Sequence, residues 1–372
     1  MAESRDSKLR KLNAFRRKRP HMSASALAST LEGVRDDGLP DLVSRHNLRE
    51  SRDVICAEKT RYGDLVHELN LPKRDGGEAK ISIAAPFAFL WIALTASAAL
   101  ATVFEAGLDL HPSSPEAPWN LVLYSDEVTP GSALSPNNER KFQGVYYTFL
   151  ELGAHALSRE ESWFPLVTEY SKLVNTLEGS MSKLWGSLVK FMFNPNGHNF
   201  ETAGMTLPSG RRLWAKLGIF LQDGAAHSMT WSSRTGQSRL CLLCKNVFTD
   251  ESEIAAADGT ALLRCNAVRE DQLVDADNND LRRSARFLEG KFADPIMGVT
   301  KFNKLQQALG ITHVPGSVLL DRSLDHLIKP VDQYMHDWMH TLFADGIVNL
   351  LVYLLFEAHI EADRRLLGAY VD

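Results

Sequence analysis

Asn120-Leu-Val-Leu-Tyr-Ser-Asp126 and Leu213-Trp-Ala-Lys-Leu-Gly-Ile-Phe-Leu-Gln-Asp223 decide how this chain is read. Each is an apolar, strand-like run that ends on an aspartate. A carboxylate at the C-terminal tip of a buried strand is costly unless water, a metal or a partner group meets it. Two such tips, followed by Cys241-x-x-Cys244 and Asp337-x-x-His340, suggest a divalent-metal site for phosphoryl chemistry. The plainer reading makes Asp126 and Asp223 turn formers at strand ends.

Working outward, residues 142–152 (FQGVYYTFLEL) are aromatic and β-branched and predict a strand paired with the first. Residues 164–193 carry Leu166, Tyr170, Leu173, Leu177, Met181, Leu184 and Leu188 at spacings of three and four, which predicts a helix. Strands, then a helix, then a strand suit an open mixed sheet with helices packed on it, an α/β fold. Upstream, residues 23–69 read as helical, 73–80 as a polar break, and 81–104 as one long uncharged helix. Downstream, residues 271–280 read as a loop or helix cap and 314–320 as a short strand. Residues 346–372 form a C-terminal region whose 346–367 stretch reads as an amphipathic helix.

The chain has 372 residues, 44% of them hydrophobic, enough for one large or two ordinary domains. A net charge of -5 excludes a wholly basic nucleic-acid binder. Basic residues nevertheless crowd the first twenty positions, Arg16, Arg17, Lys18 and Arg19 among them. Residues 1–22 therefore read as a basic arm, either a nuclear-localisation or phosphate-binding tail or a solvated terminus. Four cysteines make no disulfide framework and no signal-peptide pattern opens the chain, so the nucleus or cytosol is expected. The uncharged run at 81–104 is long enough to span a bilayer, but its alanine-, serine- and threonine-rich second half favours a buried core helix.

Cys241 and Cys244 have the spacing of half a tetrahedral Zn2+ site, with His227 and Cys265 as the nearest partners; a pair of buried apolar cysteines is the alternative. Asp332, His336, Asp337 and His340 form an acid–histidine cluster. Read as a helix, it puts both imidazoles on one face, as metal ligands or as a structural clasp.

The order of these parts resembles the DDE transposases of eukaryotic cut-and-paste elements, and most of all the CACTA (Tnp2-like) group. The matching residues are Tyr124-Ser-Asp126-Glu-Val-Thr-Pro130, Asp223-Gly-Ala-Ala226 before Cys241-Leu-Leu-Cys244, and Asp337-Trp-Met-His340 with its apolar continuation to Asn349. The resemblance covers roughly residues 119–349. It implies an RNase H-like core over 116–345 preceded by a helical region over 23–115, DNA as partner, and Mg2+ or Mn2+ catalysis at Asp126 and Asp223. The third acid of the family lies on a helix well beyond the Asp-x-x-His block. Here only Glu357 and Glu361 follow, so a truncated or domesticated remnant with weak or no cleavage is expected. Phosphate contacts are expected from the basic arm and from Arg211 and Arg212. No small-molecule substrate is implied, and a homo-oligomer is compatible with the pattern. Two other classes stand beside this one: a non-catalytic, zinc-stabilised nucleic-acid or protein-binding module, and a single-span membrane protein anchored by residues 81–104.

Overall fold

Residues 78–84 alternate strictly, with Ala79, Ile81 and Ile83 buried and Glu78, Lys80 and Ser82 exposed, the two-residue period of a half-buried strand. The computed structural model describes residues 24–37, 46, 53–54, 56–129, 138–234, 242–247, 269–337, 351 and 354. The chain divides into two units, Met1–Ala57 and Glu58–Asp372. The first contains helix α1 (Ala24–Asp37).

The second unit opens with two antiparallel pairs: β1 (Lys59–Thr60) with β2 (Gly63–Asp64), and β3 (Val66–Pro72) with β4 (Glu78–Ala84). Helices α2 (Pro86–Ala96) and α3 (Ala98–Leu110) follow. Then come β5 (Trp119–Val128), β6 (Phe142–Phe149), the short helix α4 (Gly153–Leu157) and β7 (Phe164–Tyr170). A turn of helix, α5 (Ser171–Val174), leads to α6 (Ser180–Met192). The small pair β8 (Met205–Thr206) and β9 (Arg212–Leu213) precedes β10 (Ala215–Gln222) and α7 (Gly224–Trp231). Helices α8 (Asn278–Phe292) and α9 (Val299–Leu309) and the three-residue strand β11 (Tyr334–His336) complete the described elements.

Five of these strands make one mixed sheet in the order β11-β10-β5-β6-β7. β5, β6 and β7 run antiparallel to their neighbours, whereas β10 and β11 join parallel to β5. The expected mixed α/β architecture with flanking helices is therefore present.

Helix α6 covers one face because Met181, Leu184, Trp185, Leu188, Val189 and Met192 recur at three- and four-residue spacing and are all buried. Its N-terminus turns on Gly179, at φ 90°, where a Cβ would stand 2.9 Å from the Pro315 carbonyl oxygen. Phe220 of β10 is fully buried between two indoles, 5.2 Å from the Trp185 ring and 4.9 Å from that of Trp231. It joins α6, the sheet and α7 in one core.

Several expectations need correction. Residues 66–72 and 78–84 are a hairpin, although 23–69 read as helical and 81–104 as one helix. Pro86 is the first residue of α2, where its missing N–H costs nothing. Ser97 then breaks the apolar run, its hydroxyl accepting from Leu100 N–H at 3.2 Å to cap α3, and the two helices meet at 111°. Among the described residues no single helix is long and apolar enough to cross a membrane. Phe87, Leu90, Leu94, Phe104 and Leu108 of this pair lie in the core.

The 164–193 stretch is a strand followed by helices, because Pro165, Val167 and Thr168 favour extended chain and β7 pairs with β6. Residues 314–320 are turns, and the last strand lies instead at Tyr334–His336. The expected helix at 346–367 and the basic arm lie outside the described residues.

Removing the phenyl ring that ties the layers together, in Phe220→Ala, is expected to cost about 3–5 kcal/mol. Urea unfolding followed by circular dichroism measures it. A loss under about 1 kcal/mol would show that Phe220 is not the junction of these layers.

Candidate functional site: a row of three aspartates

The register of β5, β10 and β11 decides where the acids stand. Leu221 of β10 pairs with Tyr124 of β5 on one side and Met335 of β11 on the other, and Gln222 pairs with His336. Asp223 is still extended, with φ -72° and ψ 174°, and the Asp337 N–H donates to the Gln222 carbonyl at 2.8 Å. One step beyond the Gln222 pairing, Asp223 is abreast of Asp126 and of Asp337. Successive side chains alternate faces, so Asp126, Asp223 and Asp337 share the face of Tyr124, Leu221 and Met335. Buried Gln222 and Ser125 lie on the opposite face, where the Gln222 amide donates to the Ser125 hydroxyl at 2.7 Å.

Asp126 is not the last residue of its strand, as the sequence suggested. β5 continues through Glu127 and Val128, paired with β6 after β10 has ended. Glu127 belongs to the other face, held there by Lys141 at 2.9 Å. Asp223 caps α7, its Oδ1 accepting from Ala226 N–H at 2.5 Å. That cap occupies one oxygen of a group that has two.

Tyr124 reports on all three acids. Its phenol is held well above the ordinary tyrosine range, first by burial and then by the charges of Asp126, Asp337 and Asp223, and its hydroxyl donates to Asp126. It therefore remains a neutral donor that orients Asp126. Like charges at adjacent strand ends repel, and among the described residues no group of three His, Cys, Asp or Glu side chains is arranged to hold a metal ion.

Beside the row, Tyr124, Tyr146, Glu160, Trp163, Leu221 and Asp337 enclose a cavity of about 400 Å³. Tyr124 and Tyr146 are cross-strand partners with ring centroids 6.4 Å apart. Trp163 meets Tyr124 edge to face at 5.7 Å and is held by its indole N–H donating to the Leu157 carbonyl at 3.0 Å. Gly144, the partner of Asp126 on β6, makes room: a Cβ there would come within 2.9 Å of the Tyr146 ring.

His227 has a different task from the one expected. Its Nδ1 accepts from the Trp231 indole at 3.1 Å, and an indole only donates. Nε2 must then carry the proton and donate to the Met335 carbonyl at 2.9 Å. Both ring nitrogens that could bind zinc are committed, and the imidazole stacks on Tyr334 at 3.6 Å. It clasps α7 to the edge strand β11, so the helix capped by Asp223 and the strand that delivers Asp337 are held together. Burial lowers its pKa to about 4, against the hydrogen bond to Met335, with His336 lowering it further.

Cys244 is not disulfide-bonded and bridges by its backbone to Asp275, whereas Cys241 and Cys265 lie outside the described residues. His336 lies on a strand rather than a helix, and Asp332 precedes it, accepting from the Asn278 amide at 3.0 Å. His340, Glu357, Glu361, Arg16, Arg17, Lys18 and Arg19 lie outside the described residues. Arg211 pairs with Asp109 at 2.6 Å and Glu105 at 3.1 Å, and Arg212 packs on Trp214 at 5.5 Å. Both precede β10, so its 8 residues, at about 3.3 Å each, separate them from Asp223. They are remote from the row. The sequence reading missed Tyr146, Glu160 and Trp163. The i, i+2 relation of Tyr124 to Asp126 was the one local signal that a ring and an acid share a face.

No family model and no curated protein matches this chain.

The His227 clasp has a measurable pH dependence. The folded pKa near 4 lies below the ordinary 6.5, so the unfolded state binds the proton first as pH falls. Stability from this group is intact above about pH 6.5 and falls by about 3 kcal/mol on descending to pH 4. Urea unfolding at stepped pH is expected to show a steeper acid loss in the native protein than in His227→Phe. Equal slopes would rule out the buried neutral imidazole.

Proposed function

We propose that this chain is a DNA-processing module of the RNase H-like kind, similar in plan to the DDE transposases of the CACTA group. In this reading Asp126, Asp223 and Asp337 are the acids of a divalent-cation site. The observation that carries it is the single row of three aspartates at the ends of β5, β10 and β11, all acting on the phenol of Tyr124. The strand order, three antiparallel strands followed by two parallel ones beside the first, is the order an RNase H-like core requires and supports the same reading. DNA is the partner it implies, with the basic arm at Arg16, Arg17, Lys18 and Arg19 as phosphate contacts and the nucleus as the compartment.

The row supplies the donor type of a hard cation, carboxylate oxygens, although its side chains are not gathered around one point and would have to converge on the ion. Asp126, Asp223 and Asp337 would hold it, and Asp223 retains an oxygen beyond its helix cap. Such a cation supplies Lewis-acid stabilisation of a phosphodiester and a more acidic bound water. Tyr124 holds Asp126 by a neutral hydroxyl and takes no part as a nucleophile, because its phenol is kept protonated. His227 holds the α7 end of the row against its β11 end. Asp337 bears on the expectation of weak or no cleavage. It is a third carboxylate already abreast of the other two, so cation binding and slow cleavage no longer depend on Glu357 or Glu361.

Calorimetric titration with Mn2+ tests this reading. Asp126→Asn, Asp223→Asn and Asp337→Asn are each expected to weaken binding at least about tenfold. Glu127→Gln, on the opposite face, is expected to leave it unchanged. Mn2+-dependent nicking of supercoiled plasmid should fall in the same three variants. Native-like affinity in all three would overturn the reading, and native-like affinity in Asp337→Asn alone would remove that residue from the site.

A further inference from the structure

We infer that the aromatic cavity beside the aspartate row receives one unpaired nucleobase of a DNA strand whose backbone lies on the row. This rests on the reading of the row as a cation-dependent DNA site and names a contact which that reading does not require. Tyr124 belongs to both places: its ring walls the cavity while its hydroxyl donates to Asp126. Asp337 is likewise a member of the row and a wall of the cavity. A phosphate on the row therefore has its own or the adjacent nucleoside at the cavity mouth.

The walls have the chemistry a base needs. Tyr124 and Trp163 meet edge to face at 63°, so neither ring is consumed as the other's stacking partner. Tyr146 and Leu221 complete the apolar lining. Successive bases stack on such rings at a gain that aromatic substitution reveals as roughly tenfold or more in affinity per base. About 400 Å³ lies in the range of small-ligand pockets, about 300–1,000 Å³. It suits one flat ring system.

The polar group in the wall selects among bases. Glu160 offers only acceptor oxygens when ionised. It accepts from the exocyclic amine of cytosine, adenine or guanine, whereas thymine offers it a single ring N–H flanked by two carbonyl oxygens that the carboxylate repels. Charge sets a further condition. On that reading of the row, a divalent cation would offset part of the repulsion that Glu160 and the three aspartates exert on a phosphodiester, so base binding is expected to depend on it.

Full-length protein is titrated into a short single-stranded oligonucleotide carrying 2-aminopurine, with and without Mg2+. The expected result is Mg2+-dependent binding with quenched emission. Affinity should fall about tenfold, and quenching should disappear, in Trp163→Leu and in Tyr146→Leu, while Trp163→Phe keeps both. The second position guards against loss of the indole's own hydrogen bond to Leu157, and circular dichroism verifies the fold of each variant. Glu160→Ala should abolish a preference for oligocytidine over oligothymidine. Mg2+-dependent binding with unquenched emission, unaltered in both Leu variants, would overturn the base pocket and leave the row's function standing. Absence of Mg2+-dependent DNA binding, together with no Mn2+ binding in the calorimeter, would overturn both.

Discussion

One irregularity in the pairing of β5 with β10 sets the geometry of the edge that carries the three aspartates. Leu217 pairs with Leu121, but Ile219 pairs with Val122, so one extra residue, Gly218, is accommodated on β10. A Cβ at Gly218 would stand 2.8 Å from the Asn120 Cβ and 3.1 Å from the Leu121 carbonyl oxygen, which is why the bulge sits on a glycine. Without the bulge, Asp223 would come abreast of Glu127 rather than Asp126. Because side chains alternate faces, a one-residue slip would also exchange the faces of every later position relative to β5. The bulge turns two strand-end acids into neighbours, and β11, which takes its register from β10, brings the third.

Holding that register through the helices falls to a neutral histidine. α7 begins on the Asp223 cap and ends at Trp231, whose indole packs on Phe220 and donates to His227. His227 in turn donates to the backbone of β11. β11 has three residues and lies at the sheet edge, so its own ladder supplies little. The clasp ties its position to the packing of α7 against the core. Protonating the imidazole would aim an N–H at the indole N–H, which explains in structural terms why burial and that geometry both keep it neutral.

Much of the central sheet was legible because long strands carry long patterns. β5, β6 and β10 span 10, 8 and 8 residues, enough for apolar content and chain order to be read, and both leading aspartates fell where the sequence put them to within two residues. Where patterns were short or shared, the wrong period won. Leu166, Tyr170, Leu173 and Leu177 fit a helix by spacing, yet the first two belong to a strand whose partner, β6, lies distant in sequence. Tyr334–His336 is too short to show alternation, and the four-residue spacing of His336 and His340 imitated a helix face. Zinc ligation by His227 was suggested by residue type alone, and only the positions of Trp231 and Met335 disclose that both nitrogens are used. The aromatic cavity was invisible for the same reason: Tyr124, Tyr146 and Trp163 come from three different segments, and cross-strand register rather than local sequence brings them together.

Charge gives these elements a common logic. Lys141 holds Glu127 on the opposite face, and Arg211 holds Glu105 and Asp109 before the start of β10. The face carrying Asp126, Asp223 and Asp337 adjoins Glu160 and three aromatic rings instead. A polyanion approaching that face meets repulsion at short range, screened only beyond about 10 Å at ordinary ionic strength. On the proposed reading, a divalent cation bound at the row would offset most of that repulsion where a backbone phosphate would lie. Stacking in the apolar cavity beside it would then be available at a reduced electrostatic cost. On that reading the acids and the rings would be coupled through charge, since stacking in the cavity would gain what the cation at the row makes accessible.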